Sequence, residues 1–583
     1  MEIKKIEWEK FLEDGLKMEG DLELHQGEEK KIRCSRMGIS MCRAVILSAV
    51  VVSIVANAHP LVAQTPLPVL AHIGPWPIAS EMIGYQGRLW FVNSVKYSNH
   101  NSADLYSYDS ATGSLRYERH LFSQDAGQPV IFQGLLYWPF EDARFSLGWG
   151  HFMATDGERW LFGTIPGKQI FHTHALTAMD GNLYAATSAW QATLQVSNDR
   201  GLTWREVYAH PTIRGRVSRI VALAAVGGAV YGYLLDRRDD GPRRRLLRFQ
   251  GESVREVPGW PQDRAVTGLA PFRGWLYGLV GGGGGTALWR TNGVLSEQVR
   301  PTKTGWRVKG LAAGPQALWA VDSTRNTGRL WRSSDGGKWT LAHILPGGSP
   351  NQALVYNGRV YVSGAGEDGR GLLWGGKTAV SANAAESSQR PQGIVNWPRR
   401  PQQALDLKAA GRELDKALLN TPPAYRGNLR DRVYKIAMTQ PGDDLFSPRL
   451  KGLLPNIDLS LIGGKVHMPA SRLARWILLW GMSITGIGVV PPEFISTPWN
   501  TPPNRAEKYF EIPEAAIWAV AMTGQKDRAT LNALINRLKR KGEPLWVKGE
   551  AVGALTVLTG KRFAYNFEAW HRWWAQAKKD WPK

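Results

Sequence analysis

Cysteine is nearly missing from this chain of 583 residues: Cys34 and Cys42 are the 2 it has, and both fall early. The chain beyond Cys42 has no thiol, which excludes disulfides, thiolate metal sites and cysteine nucleophiles there together. The motifs of several common chemistries are also lacking. There is no C-x-x-C-H for haem attachment, no H-E-x-x-H, no G-x-S-x-G elbow and no P-loop. The five glycines at 281–285 carry no Lys-Ser/Thr and precede no helix, so they read as a flexible loop. Long apolar runs are scarce too. The stretch 476–490 has 15 residues with three glycines, short of the roughly 20 needed to cross a bilayer, and it reads as a buried helix.

One apolar run has a different meaning. Met41-Cys-Arg43 precedes an apolar stretch at 44–55, and Ala56-Asn-Ala58 follows it. A basic flank, a short apolar core and an A-x-A pattern make a secretory signal. Residues 1–36 then read as a non-native or disordered extension with the true start at Met37 or Met41, and 37–58 as a signal peptide. The expected location is the periplasm or the exterior, with no transmembrane helix after cleavage. Acidic residues are under-represented: the net charge is +22, and without residues 1–58 there are 63 Lys/Arg against 40 Asp/Glu. Such a balance favours acidic partners. A protein or an anionic glycan is expected, nucleic acid is not, and the oligomeric state is open.

Aromatic residues and glycine, by contrast, recur on a period. A phrase ending in an apolar residue and then Tyr or Trp appears seven times: Gly87-Arg-Leu-Trp90, Gly134-Leu-Leu-Tyr137, Gly181-Asn-Leu-Tyr184, Gly228-Ala-Val-Tyr231, Gly274-Trp-Leu-Tyr277, Gln316-Ala-Leu-Trp319 and Gly358-Arg-Val-Tyr361. The starts are 47, 47, 47, 46, 42 and 42 residues apart. A period of about 40–50 residues made of strands and tight turns implies one propeller blade per repeat. The expected architecture is an all-β seven-bladed β-propeller over 67–380, with the innermost strand of each blade the apolar one. Leu70-Ala-His-Ile73 repeats Leu341-Ala-His-Ile344, so residues 67–74 are expected to supply the fourth strand of the last blade and close the ring.

Two turns carry a sharper pattern. Ser197-Asn-Asp199-Arg-Gly201-Leu-Thr-Trp204 matches S-x-D-x-G-x-T-W, and Ser333-Ser-Asp335-Gly-Gly337-Lys-Trp339 is a shortened copy. Thr155-Asp-Gly-Glu-Arg-Trp160 is looser. In such a turn Asp accepts backbone hydrogen bonds, Gly takes the left-handed position and Trp packs beneath. The pattern resembles the Asp box of bacterial neuraminidase repeats. The resemblance implies an Asp-box propeller, with these residues structural and on the face away from the usual site. It leaves a sialidase-like exo-glycoside hydrolase as the alternative to a binding protein. The early Arg-Ile-Pro motif of sialidases is absent, and seven blades depart from their six.

Beyond a Ser/Ala/Pro-rich linker at 381–403 the period becomes helical. A helix is expected over 405–419, and residues 404–583 form an α-helical domain. Glu514-Ala-Ala-Ile-Trp518 and Glu550-Ala-Val-Gly-Ala554 open matching segments 36 residues apart, with a basic amphipathic helix near 528–541 between them. This resembles HEAT-like repeats. Asn566 should cap a last helix docked by Trp570, Trp573 and Trp574.

No catalytic set, metal site or cofactor emerges. His172-Thr-His174, with His151 upstream, lacks a nearby acidic third ligand. The leading expectation is a non-catalytic binding or scaffold protein at the cell envelope. Its ligand-binding candidates lie in loops joining strands two to three and blade to blade: Trp149, His172, His174, Trp190, Arg216, Arg219, Arg237 and Trp260.

Overall fold

A computed structural model describes residues 65–377, apart from segments 96–102, 144–148, 167–169, 171, 189–190, 212–216, 239–240, 252, 283–284, 305–306 and 325–326, together with residue 479, residues 489–498 and residues 512–582. The expected signal peptide, the linker and the 405–419 helix lie outside the described residues.

The recurring phrase is a turn followed by a buried strand. In six of its copies the turn has two consecutive residues at positive φ, for example Asp180 and Gly181 at 49° and 74°, or Asn357 and Gly358 at 47° and 66°. This is the mirror-image turn whose twist matches a two-residue hairpin, and glycine takes its second place without strain. The sixth copy has Gln316 there, and its turn is closed by Gly314 N–H donating to the Ala317 carbonyl at 2.8 Å.

Each hairpin begins a four-stranded antiparallel blade, and seven blades stand in a ring. First strands touch one another from blade 2 through blade 7 to blade 1. The most buried strand is the second, not the first. Leu89, Trp90, Phe91 and Val92 are all at 1% exposure or less, whereas the first strand of blade 4, Val217–Val226, alternates buried and open positions. The second strand has partners on both edges and neighbouring blades on both faces, while the first has a partner on one edge only. Blade 2 departs further: its first strand is split into Ser123–Ala126 and Val130–Phe132, both paired with Leu135–Ala143. Between them, Gln128 bridges to blade 3, donating to the His174 carbonyl at 3.2 Å and accepting from Leu176 N–H at 3.0 Å.

The ring closes through the segment marked by its likeness to Leu341–Ile344. Strand Val69–Ile73 pairs antiparallel with Gly371–Lys377, with Ala71 opposite Leu373 and Ile73 opposite Gly371. Leu67 N–H also donates to the Ile344 carbonyl at 2.9 Å, so the segment fastens blade 7 and blade 6 together. The described part of the glycine run is strand: Gly282 pairs with Gly285 in blade 5.

Five helices come after the propeller among the described residues: α1 (Pro492–Ser496), α2 (Ile512–Thr523), α3 (Arg528–Leu538), α4 (Leu545–Thr559) and α5 (Phe567–Ala577). Asn566 caps α5 by accepting from Ala569 N–H at 3.0 Å, and Trp570 and Trp574 are buried. These helices share one hydrophobic core with blades 1 and 2. Trp518 of α2 meets Phe122 at 4.4 Å and Phe162 at 5.2 Å between ring centroids. α4 lies so close to blade 1 that a Cβ on Gly553 would sit 2.6 Å from His120 Cβ.

A buried carboxylate fastens this contact. Asp104 opens the third strand of blade 1 and accepts from Trp76 Nε1 at 2.7 Å, His120 Nδ1 at 2.8 Å and Tyr565 Oη at 2.7 Å. Beside it, buried Glu118 takes Arg116 at 2.6 Å and Arg562 at 2.9 Å. A buried charge is tolerated only with such a full set of donors. Tyr565→Phe should therefore cost about 2 kcal/mol, the scale of a hydrogen bond to a charged group. The exposed Arg572→Ala should stay within about 0.5 kcal/mol. Urea denaturation of the two variants checks this, and equal losses would contradict it.

Candidate functional site

In every blade the first strand begins, the second ends and the third begins at one edge of the ring, here termed the upper face. The turns between strands three and four lie at the opposite edge. There Ser197 Oγ accepts from Gly201 N–H at 2.8 Å, Asp199 accepts from Thr203 N–H at 2.9 Å, and Trp204 Nε1 donates to the Gly201 carbonyl at 3.0 Å. In the shortened copy Ser333 Oγ accepts from Gly336 N–H at 2.8 Å, and Gly336 has φ of +83°. The left-handed glycine is thus Gly336, not Gly337, because one residue fewer separates it from the serine. Gly337 instead donates its N–H to Asp335, and Trp339 Nε1 donates to the Gly336 carbonyl. Blade 5 has an unforeseen relative, in which Thr291 Oγ1 accepts from Gly293 N–H at 3.0 Å and Asn292 replaces the aspartate.

On the upper face the structure brings together residues from three blades. His172 begins the first strand of blade 3 (His172–Met179), and its Nε2 lies 3.3 Å from Arg219 Nη2 of blade 4. A guanidinium only donates, so Nε2 accepts and the imidazole proton sits on Nδ1. That nitrogen faces Glu141 Oε1 of blade 2 at 3.5 Å. The His174 ring stacks on His172 with centroids 5.2 Å apart and 19° between planes, and its Nε2 bonds Ser188 Oγ at 2.8 Å. Burial above all, with the Arg219 guanidinium nearby, holds His174 well below the usual imidazole value. Arg237 is next to last in the second strand of blade 4 (Ala229–Arg238) and is lowered by burial first, then by Arg219 and Arg244.

The other expected site residues are distributed differently. Trp260 is not an exposed ring: it is 4% exposed and covers Gly278, where a Cβ would meet it at 2.8 Å. It fills the seam between blades 4 and 5, as an indole does when a glycine opposite leaves room. His174 is likewise packed rather than presented, at 7% exposure. Trp149 opens the third strand of blade 2, paired with Pro166, while Trp190 and Arg216 lie outside the described residues.

Two acidic residues were missed by sequence reasoning. Glu141 comes near the end of the second strand of blade 2, and Asp125 stands directly opposite it. Asp125 is buried and accepts from Ser94 Oγ at 2.9 Å. Counting along that strand to its upper end, as for Arg237, would have found Glu141. Asp125 emerges only from the split first strand. Among the described residues no group of three or more His, Cys, Asp or Glu is placed to hold a metal, and the Arg219 guanidinium on His172 opposes a cation there.

No family model matches the chain and no curated protein matches it in sequence. It is similar to solved structures over about half its length. A polysaccharide lyase described as an ulvan lyase is 14% identical, covering 53% of this chain and 95% of its own, with a TM-score of 0.37. The computationally designed Ika8 protein is 12% identical, with 52% and 99% covered and a TM-score of 0.36. The WD40 domain of Pan2 from Neurospora crassa is 10% identical, with 52% and 91% covered and a TM-score of 0.36. At such identities and scores they bear on neither activity nor partner.

The buried imidazoles make acid stability a direct check. His151, edged by Phe162 with centroids 5.0 Å apart, is pushed down to about 3 by burial. Both His151 and His174 are neutral when folded and take up protons in the unfolded chain near the ordinary value of about 6.5. Stability is therefore lost as pH falls from that value toward their folded ones. His151→Phe should flatten the fall of the urea midpoint below pH 6.5, by at most about 1.4 kcal/mol per pH unit for one proton. An unchanged slope would contradict the assignment.

Proposed function

We propose that this protein is an exported, non-catalytic binding propeller of the Asp-box kind, with a HEAT-like C-terminal region, acting at the cell envelope. Its partner is a protein or an anionic polysaccharide, held on the upper face. The observation that carries the reading is the junction where Glu141, His172 and Arg219 converge from blades 2, 3 and 4 beside Arg237. Residues from separate blades meet there at the mouth of the ring. The basic members present donors suited to carboxylate or sulfate. The hydroxyl and carboxylate geometry of the 197–204 turn supports the Asp-box reading, and the 36-residue offset of Glu514 in α2 and Glu550 in α4 supports the helical one.

One observation favours the hydrolase reading: Asp125 and Glu141 face each other across the sheet, and paired carboxyl groups are what glycosidases use. Against it, Asp125 is buried and bonded to Ser94. A glycan array run beside glycoside turnover assays separates the two. Arg219→Ala should abolish binding without lowering the melting temperature. Turnover by the native chain that disappears in both Glu141→Gln and Asp125→Asn would overturn the binding reading.

A further inference from the structure

We propose that the upper face of blades 4 to 6 is a track for an anionic polysaccharide, contacted at several successive sugars through their carboxylate or sulfate groups. This rests on the reading of the propeller as a binding module.

The track begins in blade 4. Arg219 and Arg244 stand in register on either side of Leu235, in the three strands Val217–Val226, Ala229–Arg238 and Gly241–Gln250. Arg237 lies two residues beyond Leu235 and so shares its side of the sheet. Three guanidiniums therefore occupy one side of one blade at its upper end. Arg264 comes next, exposed, just before the first strand of blade 5 (Val266–Phe272). Arg307 is the next again, exposed, immediately before the first strand of blade 6 (Val308–Ala313). Lys309 within that strand is also exposed and donates to Ser349 Oγ at 2.6 Å.

The described acidic residues along this arc are already matched. Asp263 pairs with Arg243, Glu256 with Arg245, Asp322 with Arg329 and Asp236 with His210. Among the described residues Arg219, Arg244, Arg264 and Arg307 have no carboxylate within ion-pair distance. The guanidiniums of blades 4 to 6 draw a polyanion along this arc.

Among its described residues the arc also lacks the features of other partners. Protein interfaces centre on packed aromatic and apolar anchors, and single-stranded nucleic acid needs rings for its bases to stack on. Among the described residues the large exposed hydrophobics include no aromatic ring, and Tyr233 and Trp260 of the arc are buried. The charge that the described residues present suits a polyelectrolyte held by its acidic groups.

The test uses the full chain with dextran sulfate, polygalacturonate and unsubstituted dextran as probes, measured by titration calorimetry at several salt concentrations. The two anionic polymers should bind, more tightly as chain length increases and more weakly as salt rises. The triple variant Arg244→Gln, Arg264→Gln, Arg307→Gln should lose about tenfold or more in affinity, whereas Arg205→Gln, Arg273→Gln, Lys338→Gln on the opposite face should stay within about twofold. Equal losses in the two triples, or no binding of either anionic polymer, would overturn the proposal. Binding of dextran alone, or of a protein partner lost in Arg219→Ala, would overturn the track and leave the binding module standing.

Discussion

The ring depends on one seam. Val69–Ile73 completes the blade that ends with Gly371–Lys377, so the first described strand and the last strand of the propeller lie in a single sheet. Without it, the outer edge of blade 7 would be an open row of amides and carbonyls, the kind of edge that invites foreign strands. Closure also fixes the circumference. Because each blade packs only on its neighbours, a gap at the seam would let blades 7 and 1 part, and the upper-face residues would lose their common frame. The packing shows that dependence: Gly371 N–H donates to the Trp76 carbonyl at 2.8 Å, and Tyr356 Oη of blade 7 accepts from Gly87 N–H of blade 1 at 2.9 Å.

The same corner of the ring carries the helices. Trp76, just past the closing strand, donates to Asp104, and Asp104 receives Tyr565 from the C-terminal region. Seam, blade 1 and helices thus form one chain of contacts, continued by the shared core around Trp518 and Phe122. The upper face of blades 4 to 6 lies on the remaining arc. The division is physical: buried charge on blade 1 is committed to holding the protein together, while Arg219 and Arg244 of blade 4 are half-buried with no carboxylate among the described residues within ion-pair distance.

Much of this was legible in the sequence for a simple reason. A two-residue hairpin needs positive φ at a fixed place, so glycine recurs there, and the strand after it must bury an aromatic residue, so Tyr or Trp recurs four positions into the phrase. The seam could be read because Leu70-Ala-His-Ile73 copies the fourth strand of blade 6. The features that could not be read depend on contacts between blades. Trp260 reads as a loop ring until Gly278 is found opposite it, and His174 reads as a ligand until Gln128 and Ser188 are seen to hold it. Asp125 pairs with Glu141 only because blade 2 splits its first strand, a local break with no periodic signal. Asp104 looks like any strand aspartate, since its partner Tyr565 is 461 residues away.

The claim on which the account most depends is that residues 69–73 are an integral strand of blade 7. Hydrogen exchange at the amides of Gly371–Lys377 tests it directly, comparing the full chain with one lacking residues 65–74. The account predicts strong protection in the full chain, with loss of that protection and a lowered melting temperature in the shortened one. Equal protection and equal melting in the two would show that the ring closes without this strand, and would contradict it.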